Sequence, residues 1–100
     1  MDKEQAVRIA KTYAQQVRSI IDPSDIILYG SFVNGTADAD SDIDIAIVFE
    51  VFNGDYWGTI QRLYEMTISI DTRIEPILLD DSNDSSGFVK MVRREGLKVS

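Results

Sequence analysis

The chain contains neither cysteine nor histidine. Without cysteine it has no disulfide, no thiol nucleophile and no thiolate–zinc site. Without histidine it also lacks the most common general base and the Ser-His-Asp triad. A catalyst built from these 100 residues must therefore use carboxylates, hydroxyls, lysine, arginine, backbone amides or a metal. Oxygen ligands favour magnesium, calcium or manganese.

Positive charge is missing from the middle of the sequence. No lysine or arginine occurs between Arg18 and Arg62, an interval that holds eight acidic residues, and the formal net charge is −7. Because this charge repels phosphates, we do not expect a nucleic-acid-binding protein.

Long apolar runs are also missing. No stretch of about 18 apolar residues is present, so no transmembrane helix is predicted and we expect no membrane partner. The polar start leads into an amphipathic segment and does not resemble a signal peptide, which favours a cytoplasmic protein. The hydrophobic content of 44% suffices for a core, and the length predicts a single domain over residues 1–100.

The hydrophobic periodicity predicts an α/β (α+β) domain, in which helices pack on a small mixed sheet of about three strands. Only about a dozen residues join the first two strands, which favours an antiparallel or mixed arrangement over a parallel crossover. Pro76 predicts an edge position or a bulge in the third strand. Trp57 and Tyr64 are expected in the core. The predicted helices are 3–21, 56–68 and 87–95, and the predicted strands are 25–29, 42–49 and 73–79.

A Gly-Ser turn and a carboxylate pair are the most informative motif. Gly30-Ser31 ends the first predicted strand, and Asp42 and Asp44 begin the second. Side chains two apart in a strand share a face, so the two carboxylates repel each other unless a cation lies between them. This pattern predicts a hard divalent metal site, and the neighbouring turn offers backbone N–H groups to a phosphate.

Two other phosphate or metal motifs fail. Gly30 and Gly35 have the spacing of a P-loop, but no lysine follows. The acidic run that ends at Asp42 begins like an EF-hand loop, but Ile43 and Phe49 occupy positions that require glycine and glutamate.

A third carboxylate is expected on a neighbouring strand, since two-metal phosphoryl-transfer sites usually need more than two acids. Glu75 is the better candidate because it is an acid inside an apolar strand, and Asp71 is the alternative.

The spacing Gly30-Ser31, ten residues, Asp42-Ile43-Asp44 resembles the signature of the nucleotidyltransferase superfamily that includes DNA polymerase beta. The short length, the first amphipathic helix and the sequence over 92–96 resemble its minimal nucleotidyltransferase branch. The resemblance covers nearly the whole chain and implies a polymerase beta palm-like fold.

The resemblance also implies roles for individual residues. Gly30 and Ser31 would bind the terminal phosphates of a nucleotide, and Gly35 would let the loop turn tightly. Two magnesium ions, or manganese, would be held by the carboxylates, with the third acid also helping to deprotonate an acceptor hydroxyl. Those carboxylates are Asp42, Asp44 and Glu75.

Two departures from the family pattern are visible. The third acid is usually aspartate, whereas here it is Glu75 followed by a proline. Members often carry arginine shortly after the Gly-Ser pair, and this chain has none there. A cation for the triphosphate would then come from Arg73 or from another chain.

The resemblance implies transfer of a nucleoside monophosphate, with ATP as the expected donor, onto a hydroxyl with release of pyrophosphate. It further implies a small helical HEPN-type partner in a toxin–antitoxin pair, with AMP passing to a tyrosine of the partner. Two alternatives remain: a non-catalytic antitoxin or interaction module that keeps the fold, and a small-molecule nucleotidyltransferase, which usually has a second domain.

Overall fold

A computed structural model describes all residues 1–100. Four helices and four strands alternate along the chain, and a short 3-10 turn, Asp81–Asn83, follows the third strand. The helices are α1 (Lys3–Arg18), α2 (Ser31–Asn34), α3 (Tyr56–Thr67) and α4 (Phe88–Glu95); the strands are β1 (Asp25–Tyr29), β2 (Ile43–Phe49), β3 (Ile74–Asp80) and β4 (Leu97–Lys98).

The strands form one mixed sheet in the order β3-β2-β1-β4. β1 runs antiparallel to β2 and to β4, whereas β2 and β3 are parallel. The predicted mixed sheet is confirmed. It has one strand more than expected, because the two residues of β4 are too few to show an alternating pattern.

The continuous apolar run of β1 is buried on both faces, as such runs usually are. Ile26 and Leu28 belong to the larger core. Residues of α1 and α3 and the three isoleucines of β2 complete this core. Ile27 belongs to a smaller core, which includes Val89 and Val92 of α4. The sheet therefore lies between α1 and α3 on one face and α4 on the other.

Helix α1 begins with a capping box. The Asp2 carboxylate accepts a hydrogen bond from Gln5 N at 2.8 Å, and the Gln5 side chain accepts one from Asp2 N at 3.0 Å. The helix ends at Arg18, three residues earlier than the periodicity predicts. Its buried Tyr13 donates to the Leu63 carbonyl at 2.7 Å and so joins α1 to α3. None of the helices is both long and apolar enough to span a membrane.

Strand β3 lies at one edge of the sheet, which confirms the edge position predicted from Pro76. The Arg73 carbonyl accepts from Ile43 N at 2.8 Å, and so faces β2. The Leu78 carbonyl accepts from the Tyr56 hydroxyl at 3.5 Å on the opposite side. Because backbone direction alternates along a strand, Pro76 shares the outward side with Leu78, where its missing N–H breaks no bond of the sheet.

Candidate active site

The turn after β1 has a backbone conformation that requires glycine. Gly30 has φ +82° and ψ −148°, a region that residues with a Cβ rarely adopt. A Cβ built on Gly30 would also lie 2.5 Å from Oδ2 of Asp44. The backbone of the turn and this carboxylate are therefore in close approach, which only glycine permits.

The Gly30-Ser31 turn leads into the single turn of α2. Phe32 is buried and anchors this turn to the larger core. Gly35 ends it with φ +84°, and its N–H donates to the Ser31 carbonyl at 3.2 Å. The tight turn expected at Gly35 is thus present, and its left-handed conformation explains the residue type.

The three predicted acids lie on one face of the sheet. Asp42 immediately precedes β2, and Asp44 is the second residue of that strand. The parallel register pairs Asp44 with Glu75 of β3, so these two side chains project to the same side. The pairing of two separate strands therefore brings together acids that are more than 30 residues apart in the sequence.

The carboxylates influence one another's protonation. Burial raises the pKa of Asp44 above its usual value of 3.8, and the charge of Asp42 raises it further. The pKa of Glu75 is also raised, first by a hydrogen bond with Asp42, then by burial and by the charges of Asp42 and Asp44. Because Glu75 is exposed, its interaction with Asp42 has the greater weight. The cluster concentrates negative charge that lacks a counter-ion within the chain.

Tyr29 forms the floor beside these acids. It pairs with Asp44 across the antiparallel ladder and packs edge-on against Phe88 at the start of α4. Burial and then the charges of Asp44 and Glu75 raise the pKa of Tyr29 to about 12. The phenol therefore stays neutral and adds no further charge to the cluster.

The donor atoms of this cluster suit magnesium or manganese, since every candidate ligand is a carboxylate oxygen. The mutual repulsion that raises the pKa of Asp44 and Glu75 is the kind of interaction that a divalent cation relieves. No three acidic side chains are already drawn together as a set of ligands for one ion. The ligand chemistry thus fits, and binding would require these side chains to rotate toward an ion.

The alternative acid, Asp71, is engaged elsewhere. Its two carboxylate oxygens accept from Arg73 Nε at 3.0 Å and from Arg73 Nη2 at 2.6 Å. These hydrogen bonds lower the pKa of Asp71, as expected for a carboxylate that is already paired. Glu75, which has no cationic partner and is paired with Asp44 in the sheet, remains the better candidate for the third acid. The same pair occupies Arg73, the cation suggested for the triphosphate.

Trp57 and Tyr64 are not in the core, and that prediction was wrong. Trp57 is 76% exposed and Tyr64 is 44% exposed. At about 100° per residue, the buried face of α3 centres on Leu63 and Thr67. Trp57 and Tyr64 lie within about 20° of each other but about 90° from that centre. Trp57 and Tyr64 do share a face of α3, as their spacing predicts. The prediction was wrong because it took this face for the buried one.

An apolar cleft of about 470 Å³ joins α3 to the acid cluster around the edge of β3. It was not predicted, because its α3 residues were assigned to the core. Residues of α3 and β3 supply apolar walls, and no lysine or arginine lines it. The lining residues are Trp57, Ile60, Tyr64, Pro76 and Ile77, together with Tyr29, Asp44 and Glu75 of the acidic end.

The glycine turn, the carboxylate pair and the acid on the next strand thus lie together, as the resemblance to nucleotidyltransferases implies. The nucleotidyltransferase domain family matches residues 10–93. This match covers most of the chain, so the protein belongs to that family. No curated protein sequence matches it.

Three solved structures share the fold. A protein of Sulfolobus solfataricus, provisionally named a nucleotidyltransferase, is 22% identical with a TM-score of 0.65, over 96% of this chain and 80% of that one. A toxin–antitoxin complex with AMP-PNP is 24% identical with a TM-score of 0.61, over 90% and 72%. The toxin–antitoxin MntA–HpeT, in a mutant with two aspartates two positions apart replaced by glutamate, is 20% identical with a TM-score of 0.54, over 100% and 73%.

Proposed function

We propose that the protein transfers AMP from ATP onto a hydroxyl of a partner protein and thereby acts as the antitoxin of a toxin–antitoxin pair. The observation that carries this proposal is the register between β2 and β3. It aligns Asp44 with Glu75 on the face that Asp42 also approaches, beside the Gly30-Ser31 turn. A non-catalytic domain has no evident need for three acids without a cationic partner at one place.

Each group has a role that follows from its position. The N–H groups of Val33 and Asn34 donate to the Gly30 carbonyl, which leaves those of Ser31 and Phe32 without a backbone acceptor. These two N–H groups would bind the β- and γ-phosphates. Asp42, Asp44 and Glu75 would hold two magnesium ions, which supply neutralisation of phosphate charge when bound. Gly30 keeps the turn close enough to Asp44 for phosphate and carboxylates to share one site.

Glu75 is suited to receive the proton of the acceptor hydroxyl. Its raised pKa makes it a better proton acceptor than an ordinary glutamate, provided that it is ionised at the working pH. In the proposed step the acceptor oxygen bonds to the α-phosphorus, the bond between that phosphorus and pyrophosphate breaks, and the hydroxyl proton passes to Glu75. Positioning and charge stabilisation account for most of the rate in such transfers.

The partner assignment is supported by the relatives. Two structures with this fold are toxin–antitoxin complexes, one of them with a nonhydrolysable ATP analogue. The mutant complex carries replacements at two aspartates with the same separation as Asp42 and Asp44. We propose by analogy that the partner here is also a toxin. The resemblance to minimal nucleotidyltransferases suggests a toxin of the small helical HEPN type, with one of its tyrosines as the acceptor.

The test is label transfer. The protein is co-purified with its partner and incubated with magnesium and ATP labelled at the α-phosphate, and label on the partner is measured. We expect Asp42→Asn to reduce transfer by about a hundredfold or more, since charge-stabilising groups contribute on this scale. Asp40→Asn is a matched control: it removes the same charge from an exposed loop position outside the strand and should leave transfer unchanged.

A non-catalytic antitoxin is the second candidate. It is favoured by the Arg73–Asp71 pair, which engages the arginine suggested for the triphosphate, and by the absence of arginine after Gly30-Ser31. Tight partner binding by both the wild-type protein and Asp42→Asn, without label transfer by either, would establish this alternative and refute the enzyme.

A further inference from the structure

The apolar cleft between α3 and β3 has a definite position relative to the proposed chemistry. Across the sheet, the order is the Gly30-Ser31 turn after β1, the aspartates of β2, Glu75 on β3, and then the cleft. The apolar walls of the cleft therefore lie beyond Glu75, whereas its acidic end reaches Asp44 and Tyr29 beside the turn.

The in-line geometry of nucleotidyl transfer relates this order to the direction from which the acceptor approaches. The entering oxygen and the departing pyrophosphate lie on opposite sides of the α-phosphorus. If the pyrophosphate lies at the Gly30-Ser31 turn, the acceptor must approach from the β3 side, where the cleft opens onto Glu75. We infer that the cleft formed by Trp57, Ile60 and Tyr64 against Pro76 and Ile77 binds the acceptor side chain, which is the tyrosine of the proposed function. This inference rests on the proposed function.

The composition of the cleft selects among acceptors. Two acids and no cation line it, so a nucleic acid end or a sugar phosphate would be repelled. The flat faces of Trp57 and Tyr64 favour an aromatic ring over an aliphatic hydroxyl such as serine. A phenol inserted between them would present its oxygen toward Glu75 at the acidic end.

The exposure of Trp57 and Tyr64 supports a binding role. Ile68, just after α3, is 73% exposed and lies on the same side of the helix as these two aromatic residues. An apolar strip thus extends from the cleft along α3, and it provides room for the segment of a partner protein that carries the acceptor. Because Trp57 makes so little contact with the core, its truncation should not unfold the domain.

Trp57 is the only tryptophan in the chain, so its fluorescence reports directly on the cleft. The probe is N-acetyl-tyrosinamide, with N-acetyl-serinamide as the aliphatic comparison, and tryptophan is excited selectively. We expect saturable quenching by the tyrosine derivative alone, and at least a tenfold weaker response in Tyr64→Ala. Quenching by magnesium-ATP alone would instead assign the cleft to the nucleobase and overturn the inference, as would no response to any of the three.

Transfer kinetics supply the second readout. With N-acetyl-tyrosinamide as acceptor, Trp57→Ala and Tyr64→Ala should raise the acceptor KM at least tenfold while the KM for ATP stays constant. Val51→Ala, an exposed apolar residue outside both the cleft and the strip along α3, should change neither value. Unchanged acceptor KM in both cleft variants would overturn the inference and leave the transferase intact. Quenching without transfer by any variant would refute the transferase and retain the binding cleft.

Discussion

Replacing Gly30 with alanine tests the close approach between the turn and the acid cluster. Two effects of this substitution can be separated. The backbone conformation, with φ +82° and ψ −148°, costs a residue with a Cβ about 1–3 kcal/mol. The new methyl group would also lie 2.5 Å from Oδ2 of Asp44, whereas ordinary contacts begin at 3.4 Å. The Asp44 carboxylate must therefore move by about 1 Å. Rotation about the side-chain bonds of Asp44 allows this movement at small cost in stability.

The second effect falls on activity. A misplacement of about 1 Å in a reacting group reduces rates by about a hundredfold. We therefore expect Gly30→Ala to lose about 1–3 kcal/mol of unfolding free energy in urea, and about a hundredfold in label transfer per folded molecule. The domain stays folded, because small domains have about 5–15 kcal/mol of stability.

Gly35→Ala is the matched control for the backbone effect. Gly35 has φ +84°, but a Cβ there meets nothing within 4 Å. It should lose about 1–2 kcal/mol and much less transfer than Gly30→Ala. If the two variants lose transfer equally, the approach of Gly30 to Asp44 does not matter for activity and the reasoning is refuted. The double variant Gly30→Ala/Asp44→Ala adds a stability check. The loss of unfolding free energy caused by Gly30→Ala should be no greater in the Asp44→Ala background than in wild type, because the carboxylate is gone.

The remaining predictions concern the acids and the carboxyl-terminal strand. Glu75→Gln should reduce label transfer by about a hundredfold, whereas Asp71→Asn should change it only a few-fold, and equal losses would contradict the choice of Glu75. Transfer should fall as pH drops from neutral toward the usual carboxyl values of 3.8 and 4.5, because the raised pKa values of Asp44 and Glu75 make these acids protonate early. Because the pKa of Asp44 is raised in the folded state, stability is lost as pH rises through that pKa. At neutral pH without divalent cations, Asp44→Asn should therefore have an unfolding free energy up to about 1 kcal/mol greater than wild type, measured in urea. This advantage should vanish below the ordinary aspartate pKa of 3.8. Gly96→Ala should destabilise the domain by about 1–3 kcal/mol in urea, because its Cβ would lie 2.6 Å from the Val92 carbonyl and would also overlap Ile27.

The parts of the fold that could be predicted are those encoded by local patterns. The capping box at Asp2 and Gln5, the apolar run of β1 and the carboxylates at the start of β2 are all short-range signals. Glu75 could be chosen because an acid within an apolar strand needs a reason to be there. Its alignment with Asp44, by contrast, depends on how two distant strands pair, which no local pattern specifies.

Helix α3 marks the limit of periodicity as evidence. Apolar residues occur around about half of its circumference, so the pattern alone does not reveal which part faces the core. The contact of α3 with α1 and β3 decides that Leu63 is buried and Trp57 is exposed. The apolar surface of α3 is wider than packing on the core requires. This excess width is the signal in the sequence from which the cleft could have been predicted.

The proline in β3 has a consequence for how the domain meets other molecules. An unpaired strand edge can recruit a further strand, including one from another copy of the same chain. At Pro76 the outward backbone offers no N–H, so a ladder could not run past this residue. A partner that binds at this edge of the sheet must therefore be recognised through side chains. The protein can expose apolar residues at this edge without forming a continuous sheet with further copies of itself.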